Sequence, residues 1–101
     1  MYGSIFHLHV RPGQEAAVRQ LFERWDRERA PRVQGFRAGY LFKPDQQRDE
    51  LIGVAVFDDR ESYRKNASDP AQDEWYRELR ALLTDDPVWE DGEVIEAEMR
   101  A

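Results

Sequence analysis

The residues best suited to chemistry lie between positions 62 and 77, where the chain brings an asparagine amide, an indole and two phenols close together. They are Asn66, Trp75, Tyr63 and Tyr76. If the stretch is helical, about four turns contain all of them. Amides, indoles and phenols hydrogen-bond and stack on flat organic molecules, whereas they make poor metal ligands. The segment therefore indicates a pocket for a small organic molecule.

Each of these residues also has a purely structural interpretation. Asn66 can end a helix, because asparagine bonds readily to nearby backbone. Trp75 can be a core residue on the apolar stripe of an amphipathic helix. Tyr63 and Tyr76 can lie at the edge of the core with their hydroxyls in water. The sequence leaves both interpretations open for every one of them.

The two histidines of the chain, His7 and His9, are two residues apart and share one face of an extended strand. Because imidazole titrates near neutral pH, either one is a candidate general base. A metal site would need a third ligand, for which Glu96, Glu98 or a second copy of the chain are candidates. The two histidines also fit a polar insertion in a barrel interior or a pair hydrogen-bonded to each other. Since the chain has no cysteine and so few nitrogen ligands, we expect no bound metal.

The composition limits the class of protein and its partners. With 101 residues, the chain is expected to be a single domain over 1–101. The net charge of −6 disfavours nucleic acid, because an acidic surface repels phosphates. No segment is apolar for long enough to span a bilayer, and the first residues lack the pattern of a signal peptide. We expect a cytoplasmic protein that binds neither nucleic acid nor membranes.

Apolar periodicity defines the elements that must position these groups. Alternation predicts strands over 2–10, 35–43, 50–57 and 89–99, the last with a turn at Asp91-Gly92. An apolar stripe predicts a helix over 14–28, and the charged residues between 23 and 32 are assigned to its solvated face. The strand over 50–57 is apolar on both faces, so it should be central and buried on both sides. On the second strand, one face should carry Phe36, Ala38, Tyr40 and Phe42.

The second helical region is predicted to be broken. Asp58 is a candidate N-cap, and Glu61 three residues later would complete a capping box. At Asp69-Pro70 the helix restarts, with Asp69 as the new cap and Pro70 at the first helical position. The resulting order, β-α-β-β-α-β, is that of the α+β ferredoxin-like fold, in which an antiparallel sheet carries its helices on one face.

The other face of that sheet has no helix to cover it. Its apolar side chains would form a large exposed patch, which monomers rarely tolerate. We therefore expect a homodimer in which two such faces pack together around a shared, barrel-like core.

Short sequence patterns along nearly the whole chain resemble the antibiotic biosynthesis monooxygenase family of dimeric α+β barrels. In order and at this spacing they are specific for the family, although not for a reaction. They are Pro12-Gly13, Pro31 through Gly35-Phe36, Val56-Phe57-Asp58-Asp59 ahead of Ser62-Tyr63, Asn66-Ala67, Asp69-Pro70, Trp75-Tyr76 and Trp89-Glu90-Asp91-Gly92-Glu93.

The resemblance implies a pocket between sheet and helices lined by an asparagine, a tryptophan and a tyrosine. Here Asn66, Trp75 and either Tyr63 or Tyr76 match, while the family's arginine has no clear counterpart. Characterised members oxidise aromatic polyketides with oxygen, without metal or flavin, so no cofactor is expected. A haem-cleaving branch uses a histidine on the second helix. Residues 59–84 contain none, which disfavours haem degradation.

The leading hypothesis is a cofactor-independent monooxygenase acting on a small, electron-rich aromatic or polyketide-like molecule. Asn66 would hold the substrate anion or the oxygen species, His7 or His9 or a tyrosine would assist deprotonation, and Trp75 would wall the site. The alternative is a non-catalytic dimeric barrel that binds a small molecule as a sensor or carrier. Further candidate substrate contacts are Tyr40, Tyr63 and Tyr76.

Overall fold

In the computed structural model, which describes residues 1–46 and 49–100, four strands form one antiparallel sheet. The strands are β1 (Tyr2–His9), β2 (Phe36–Phe42), β3 (Glu50–Phe57) and β4 (Val88–Glu93). Their spatial order is β2-β3-β1-β4. Strand β1 pairs with both β3 and β4, and β2 pairs with β3.

Three α-helices accompany the sheet, and the second and third divide what would otherwise be one long helix. They are α1 (Glu15–Glu28), α2 (Arg60–Ala67) and α3 (Pro70–Ala81), and a short 3-10 helix covers Ala30–Arg32. The element order confirms the predicted ferredoxin-like α+β fold with its broken second helix. Among the described residues, no helix is both long enough and apolar enough to cross a membrane.

The core lies between the helices and one face of the sheet, here called the inner sheet face. Alternate residues of β1 and β3 point into it, including Phe6, Leu8 and Leu51. Helix α1 contributes the predicted stripe of apolar side chains, and α3 contributes a second stripe. The helical core residues are Val18, Leu21, Trp25, Trp75 and Leu79.

The opposite face, here called the outer sheet face, carries the remaining strand residues. The pairing places Ile5 opposite Val54 and His7 opposite Ile52 on it. Strand β3 lies between two other strands, which confirms that it is central. Its outer side chains Ile52, Val54 and Val56 are only half-buried within one chain. Burial of β3 on both sides would therefore need a cover over this face.

Strand β2 departs from the predicted alternation. A register shift between Phe36 and Ala38, of the kind a β-bulge produces, leaves Arg37 out of the pairing. Phe36 consequently lies opposite Phe57 on the inner face, while Tyr40 lies opposite Val54 on the outer face. The prediction that Phe36 shares a face with Tyr40 and Phe42 is wrong, because one extra residue inverts the alternation.

The helix break forms as predicted, but the first cap is one residue later. Asp59, not Asp58, is the N-cap of α2: its carboxylate accepts the backbone N–H of Ser62 at 2.8 Å, within a capping box. Asp58 instead pairs with Arg37. At the restart, Asp69 accepts the backbone N–H of Ala71 at 2.9 Å and Pro70 opens α3, as predicted.

The last strand is shorter than predicted and has no turn at Asp91-Gly92. Those residues continue the ladder, with Asp91 opposite Ser4 and Gly92 opposite Gly3. Strand β4 ends at Glu93, and residues 94–100 have no regular secondary structure. The predicted strand over 89–99 is therefore wrong in its second half.

Candidate functional site

A cavity of about 410 Å³ lies between the inner sheet face and the three helices. This volume falls within the usual range for small-molecule sites. Aromatic rings form most of its wall. The sheet contributes Phe6, Phe36, Phe57 and Trp89, and the helices contribute Phe22, Trp25, Tyr63, Trp75 and Tyr76. Such a wall suits a flat, apolar molecule, because rings stack and pack edge to face.

Trp75 belongs both to the core and to the cavity wall. It is 8% exposed, and its ring packs edge to face against Phe22 with centroids 5.0 Å apart. Its indole N–H donates to the backbone carbonyl of Leu21 at 3.1 Å. Because its one polar atom is already bonded, Trp75 can offer a ligand its ring surface but no hydrogen bond.

Asn66 lines the cavity near the end of α2, and its side chain is held by Arg29, the residue that follows α1. The Nη2 group of Arg29 donates to Asn66 Oδ1 at 2.8 Å, and the same nitrogen lies 3.6 Å from Asp69 Oδ2. Arginine can only donate, so the amide must present its oxygen to Arg29. The NH2 group donates no hydrogen bond within the described part of the chain, and it can serve a ligand.

Arg29 was assigned from the sequence to the solvated face of the first helix, and that assignment is wrong. Its side chain is only 17% exposed. The helix ends at Glu28, so Arg29 has left the helical periodicity on which the assignment relied. No sequence pattern links Arg29 to Asn66, since the contact forms only when α1 packs against the helix break.

The two candidate phenols are both held in the protonated form. The Tyr63 hydroxyl donates to Asp91 at 2.9 Å. Burial, supported by the nearby Asp91 carboxylate and opposed by the Ser4 hydroxyl, raises the pKa of Tyr63 to about 12. Burial and the charge of Asp86 also raise the pKa of Tyr76. At neutral pH these residues are proton donors rather than bases.

Tyr40 borders the cavity but presents little of its side chain to it. The side chain is 63% exposed, and the pairing of Tyr40 with Val54 directs it to the outer sheet face. The sequence offered no means of seeing this, because the register shift at Arg37 decides which face Tyr40 occupies.

Four polar residues of the lining were missed from the sequence, namely Ser4, Gln72 and the two exposed carboxylates Asp26 and Asp73. Ser4 on β1 is 3% exposed, and its Oγ completes no hydrogen bond among the described residues. Gln72 on α3 accepts the indole N–H of Trp25 at 2.7 Å. A signal for Gln72 was present, since it precedes Trp75, Tyr76 and Leu79 at helical spacing and is the polar member of that buried stripe.

His7 and His9 lie on the outer sheet face and do not line the cavity. His7 bridges two carboxylates, with Nδ1 3.0 Å from Glu50 and Nε2 2.8 Å from Glu90. These hydrogen bonds, that to Glu50 first, raise the pKa of His7. His9 Nδ1 lies 3.9 Å from Asp49. Each imidazole thus contacts carboxylates rather than the other histidine.

No group of three or more histidine, aspartate or glutamate side chains is arranged to hold a metal ion within residues 1–46 and 49–100. The glutamates suggested as third ligands, Glu96 and Glu98, belong to the irregular segment after β4.

Comparison with known proteins places these features in context. The family model described as antibiotic biosynthesis monooxygenase matches residues 1–78. A search of curated proteins finds no match.

Solved structures share the fold over almost the whole chain. SnoaB, a cofactor-independent oxygenase from Streptomyces nogalater, is 19% identical with a TM-score of 0.81, covering 95% of this chain and 94% of its own. A protein of unknown function from Nitrosomonas europaea is 20% identical with a TM-score of 0.79, covering 99% and 94%. A Caulobacter crescentus protein named for the same monooxygenases is 13% identical with a TM-score of 0.83, covering 94% and 90%. At these identities the likeness shows the fold alone.

Proposed function

Because the chain belongs to the antibiotic biosynthesis monooxygenase family, we propose that it is a cofactor-independent monooxygenase for a small aromatic or polyketide-like molecule. One observation supports the proposal more strongly than any other. The cavity combines an aromatic wall with the Asn66 amide, whose carbonyl is engaged by Arg29 and whose NH2 group remains available as a donor. That combination fits a flat molecule that carries a negatively charged oxygen.

The proposed reaction converts a ring CH2 group into a carbonyl, using one O2 and releasing one water. The deprotonated substrate itself gives electrons to oxygen, so no further reductant is required. Asn66 stabilises the substrate anion by donating to its oxygen, and this donor is already oriented before the ligand arrives. The aromatic wall holds the ring and keeps water away from the reacting carbon.

The proton steps fall to groups that line the cavity. Tyr76, whose hydroxyl makes no hydrogen bond within the described residues, can give its proton to the reduced oxygen, whereas the Tyr63 proton is already donated to Asp91. Asp26 and Asp73 are the carboxylates of the lining that can accept the substrate proton. His7 and His9, predicted as candidate bases, lie on the outer sheet face, and we do not assign them this step.

Oxygen uptake with a defined probe tests the proposal. The probe is 1,8,9-trihydroxyanthracene, whose keto tautomer carries the ring CH2 group, supplied under ¹⁸O2 with the rate in buffer alone subtracted. We expect uptake above that blank, one labelled atom in the product carbonyl, and loss of most of the activity in Asn66→Ala. Gln20→Ala, a change on the exposed surface of α1, serves as the matched control. A wild-type rate equal to the blank, for this probe and for mono- and bicyclic phenols, would refute the proposed activity.

A non-catalytic ligand carrier is the second candidate, and one observation favours it. The lining contains no histidine among the described residues, and burial raises the pKa of Tyr63 and of Tyr76. Tight binding of the probe without oxygen uptake by any of the tested phenols would support this function.

We also propose that the protein is a homodimer joined through the outer sheet face. This face exposes large apolar side chains, including Ile5, Tyr40, Phe42 and Val88. Packing a second copy over it would cover these residues and the half-buried outer side of β3. In such a dimer each subunit would keep its own cavity, which lies on the inner face of its sheet.

A further inference from the structure

The polar side of the cavity is built around the break between α2 and α3. The backbone N–H of Asp69 donates to the carbonyl of Asn66 at 3.0 Å, and the backbone N–H of Gln72 donates to the carbonyl of Asp69 at 3.0 Å. Asn66 and Gln72 thus flank one tight turn, and both line the cavity. Two primary amides consequently stand on the same short segment.

Each amide is paired with a group from the first helix or its end that can only donate. Arg29 donates to Asn66 Oδ1 at 2.8 Å, and the indole N–H of Trp25 donates to Gln72 Oε1 at 2.7 Å. Guanidinium and indole N–H groups have no acceptor atom, so both amides must present their oxygens to them. Rotating either amide by half a turn would place two donors face to face.

The consequence is that both amides have only their NH2 groups left. Neither NH2 group donates a hydrogen bond to the described protein residues. Neither nitrogen is among the buried atoms without a partner, so both NH2 groups are accessible and can donate to a ligand that supplies acceptors.

We propose that Gln72 is a second ligand-binding donor beside Asn66, and that Trp25 and Arg29 are positioning residues that fix both amides as donors. The cavity then selects an aromatic ligand with two acceptor oxygens, such as a hydroxyquinone or a 1,3-diketone enolate, over an aromatic amine or hydrocarbon of similar size. This inference rests on the proposed function only in requiring that the cavity binds a small aromatic molecule.

Isosteric carboxylates test the inference, because they keep the internal contacts and replace the NH2 donor with a negatively charged acceptor. In Gln72→Glu the side chain still accepts the Trp25 indole N–H, and in Asn66→Asp it still accepts from Arg29. Gln20→Glu makes the same charge change on the exposed surface of α1. Binding of 2-hydroxy-1,4-naphthoquinone and of 1-naphthylamine is measured by calorimetry without oxygen, so that no turnover interferes.

The wild-type protein should bind the quinone at least about tenfold more tightly than the amine, a ratio that one or two charge-assisted hydrogen bonds supply. Gln72→Glu and Asn66→Asp should each lose at least about tenfold in quinone affinity, with amine affinity retained and melting temperature not lowered. Gln20→Glu should behave as the wild type. Trp25→Phe, which releases the Gln72 amide to rotate, should reduce the quinone-to-amine ratio.

Other results would overturn the inference in distinguishable ways. If the folded Gln72→Glu variant binds the quinone like the wild type, Gln72 is a structural residue. Equal wild-type affinity for quinone and amine would show that the cavity has no acceptor preference. Binding of neither molecule would remove the ligand site, and with it the proposed function. If the preference for the quinone is found but oxygen uptake is absent, the assignment of Asn66 and Gln72 as donors is supported and the proposed oxygenase activity is refuted.

Discussion

Replacing Trp75 with alanine separates its part in the core from its part in the cavity wall. The indole is 8% exposed, contacts Phe22 edge to face and bonds to the carbonyl of Leu21. That carbonyl lies inside α1, where it also accepts an intrahelical hydrogen bond, so removing the indole leaves no orphaned acceptor. The cost is therefore mainly lost packing.

The magnitude follows from that geometry. Truncating a fully buried tryptophan costs about 3–5 kcal/mol. Because one side of this ring already borders a cavity, fewer contacts are lost, and we expect about 3 kcal/mol of unfolding free energy. For a domain of this size that corresponds to a fall in melting temperature of roughly 12–24 °C. The variant should still fold, since small domains have about 5–15 kcal/mol of stability.

Trp89 provides a matched control, because it lines the same cavity but is 47% exposed. Its ring lies 5.1 Å from Phe6, and truncation should cost roughly 1–2 kcal/mol. Urea unfolding followed by circular dichroism, at one fixed protein concentration, gives both values independently of tryptophan fluorescence. If Trp75→Ala costs no more than Trp89→Ala, the assignment of Trp75 to the core fails.

Three further predictions concern the outer sheet face and metal content. Light scattering should give about twice the 12.0 kDa chain mass for the wild type. Val54→Lys, which places a charge on the outer sheet face, should give one chain mass, whereas the surface change Gln20→Lys should leave the dimer intact. A monomeric wild type at micromolar concentration would contradict the dimer. Contacts with Glu50 and Glu90 raise the pKa of His7 above 6.5, so they stabilise the fold while the imidazole is protonated. This contribution is complete below about pH 6.5 and is lost as the pH rises through the raised pKa. His7→Gln should therefore lower the urea midpoint at about pH 6 but not at about pH 9, and an equal loss at both pH values would refute this origin. Elemental analysis after dialysis should find no stoichiometric iron, zinc or copper, and a retained equivalent of any of them would contradict the metal-free interpretation.

Much of the fold was predictable because its signals are local. Strand alternation, the apolar stripe of α1 and the cap-and-proline pair at Asp69-Pro70 each depend on residues within a few positions of one another. The errors arose where a local pattern has two equivalent solutions. Asp58 and Asp59 are both good caps, and only the approach of Ser62 to Asp59 decides between them. One unpaired residue, Arg37, was enough to reverse the faces of the second strand.

The candidate site was less predictable because its polar contacts span distant parts of the sequence. Arg29 and Asn66 are 37 residues apart, and Trp25 and Gln72 are 47 residues apart. Residue types alone identified Asn66 as a hydrogen-bonding candidate. They could not reveal which end of its amide is free, because that depends on the partner brought up by α1. Gln72 was missed although its helical spacing from Trp75 and Leu79 marks it as the polar member of a buried stripe.

The helix break gains a functional meaning from this arrangement. In one uninterrupted α-helix, residues six positions apart point about 120° away from each other around the axis, so Asn66 and Gln72 could not both face one cavity. Pro70 has no N–H to continue the hydrogen bonds of α2, and Asp69 caps a new helix with its own direction. Each amide then lies on its own helix, and a separate donor reaches each of them, Trp25 from α1 and Arg29 from the residue that follows it. The same local sequence that ends α2 therefore allows two distant positioning residues to hold two hydrogen-bond donors over one aromatic cavity.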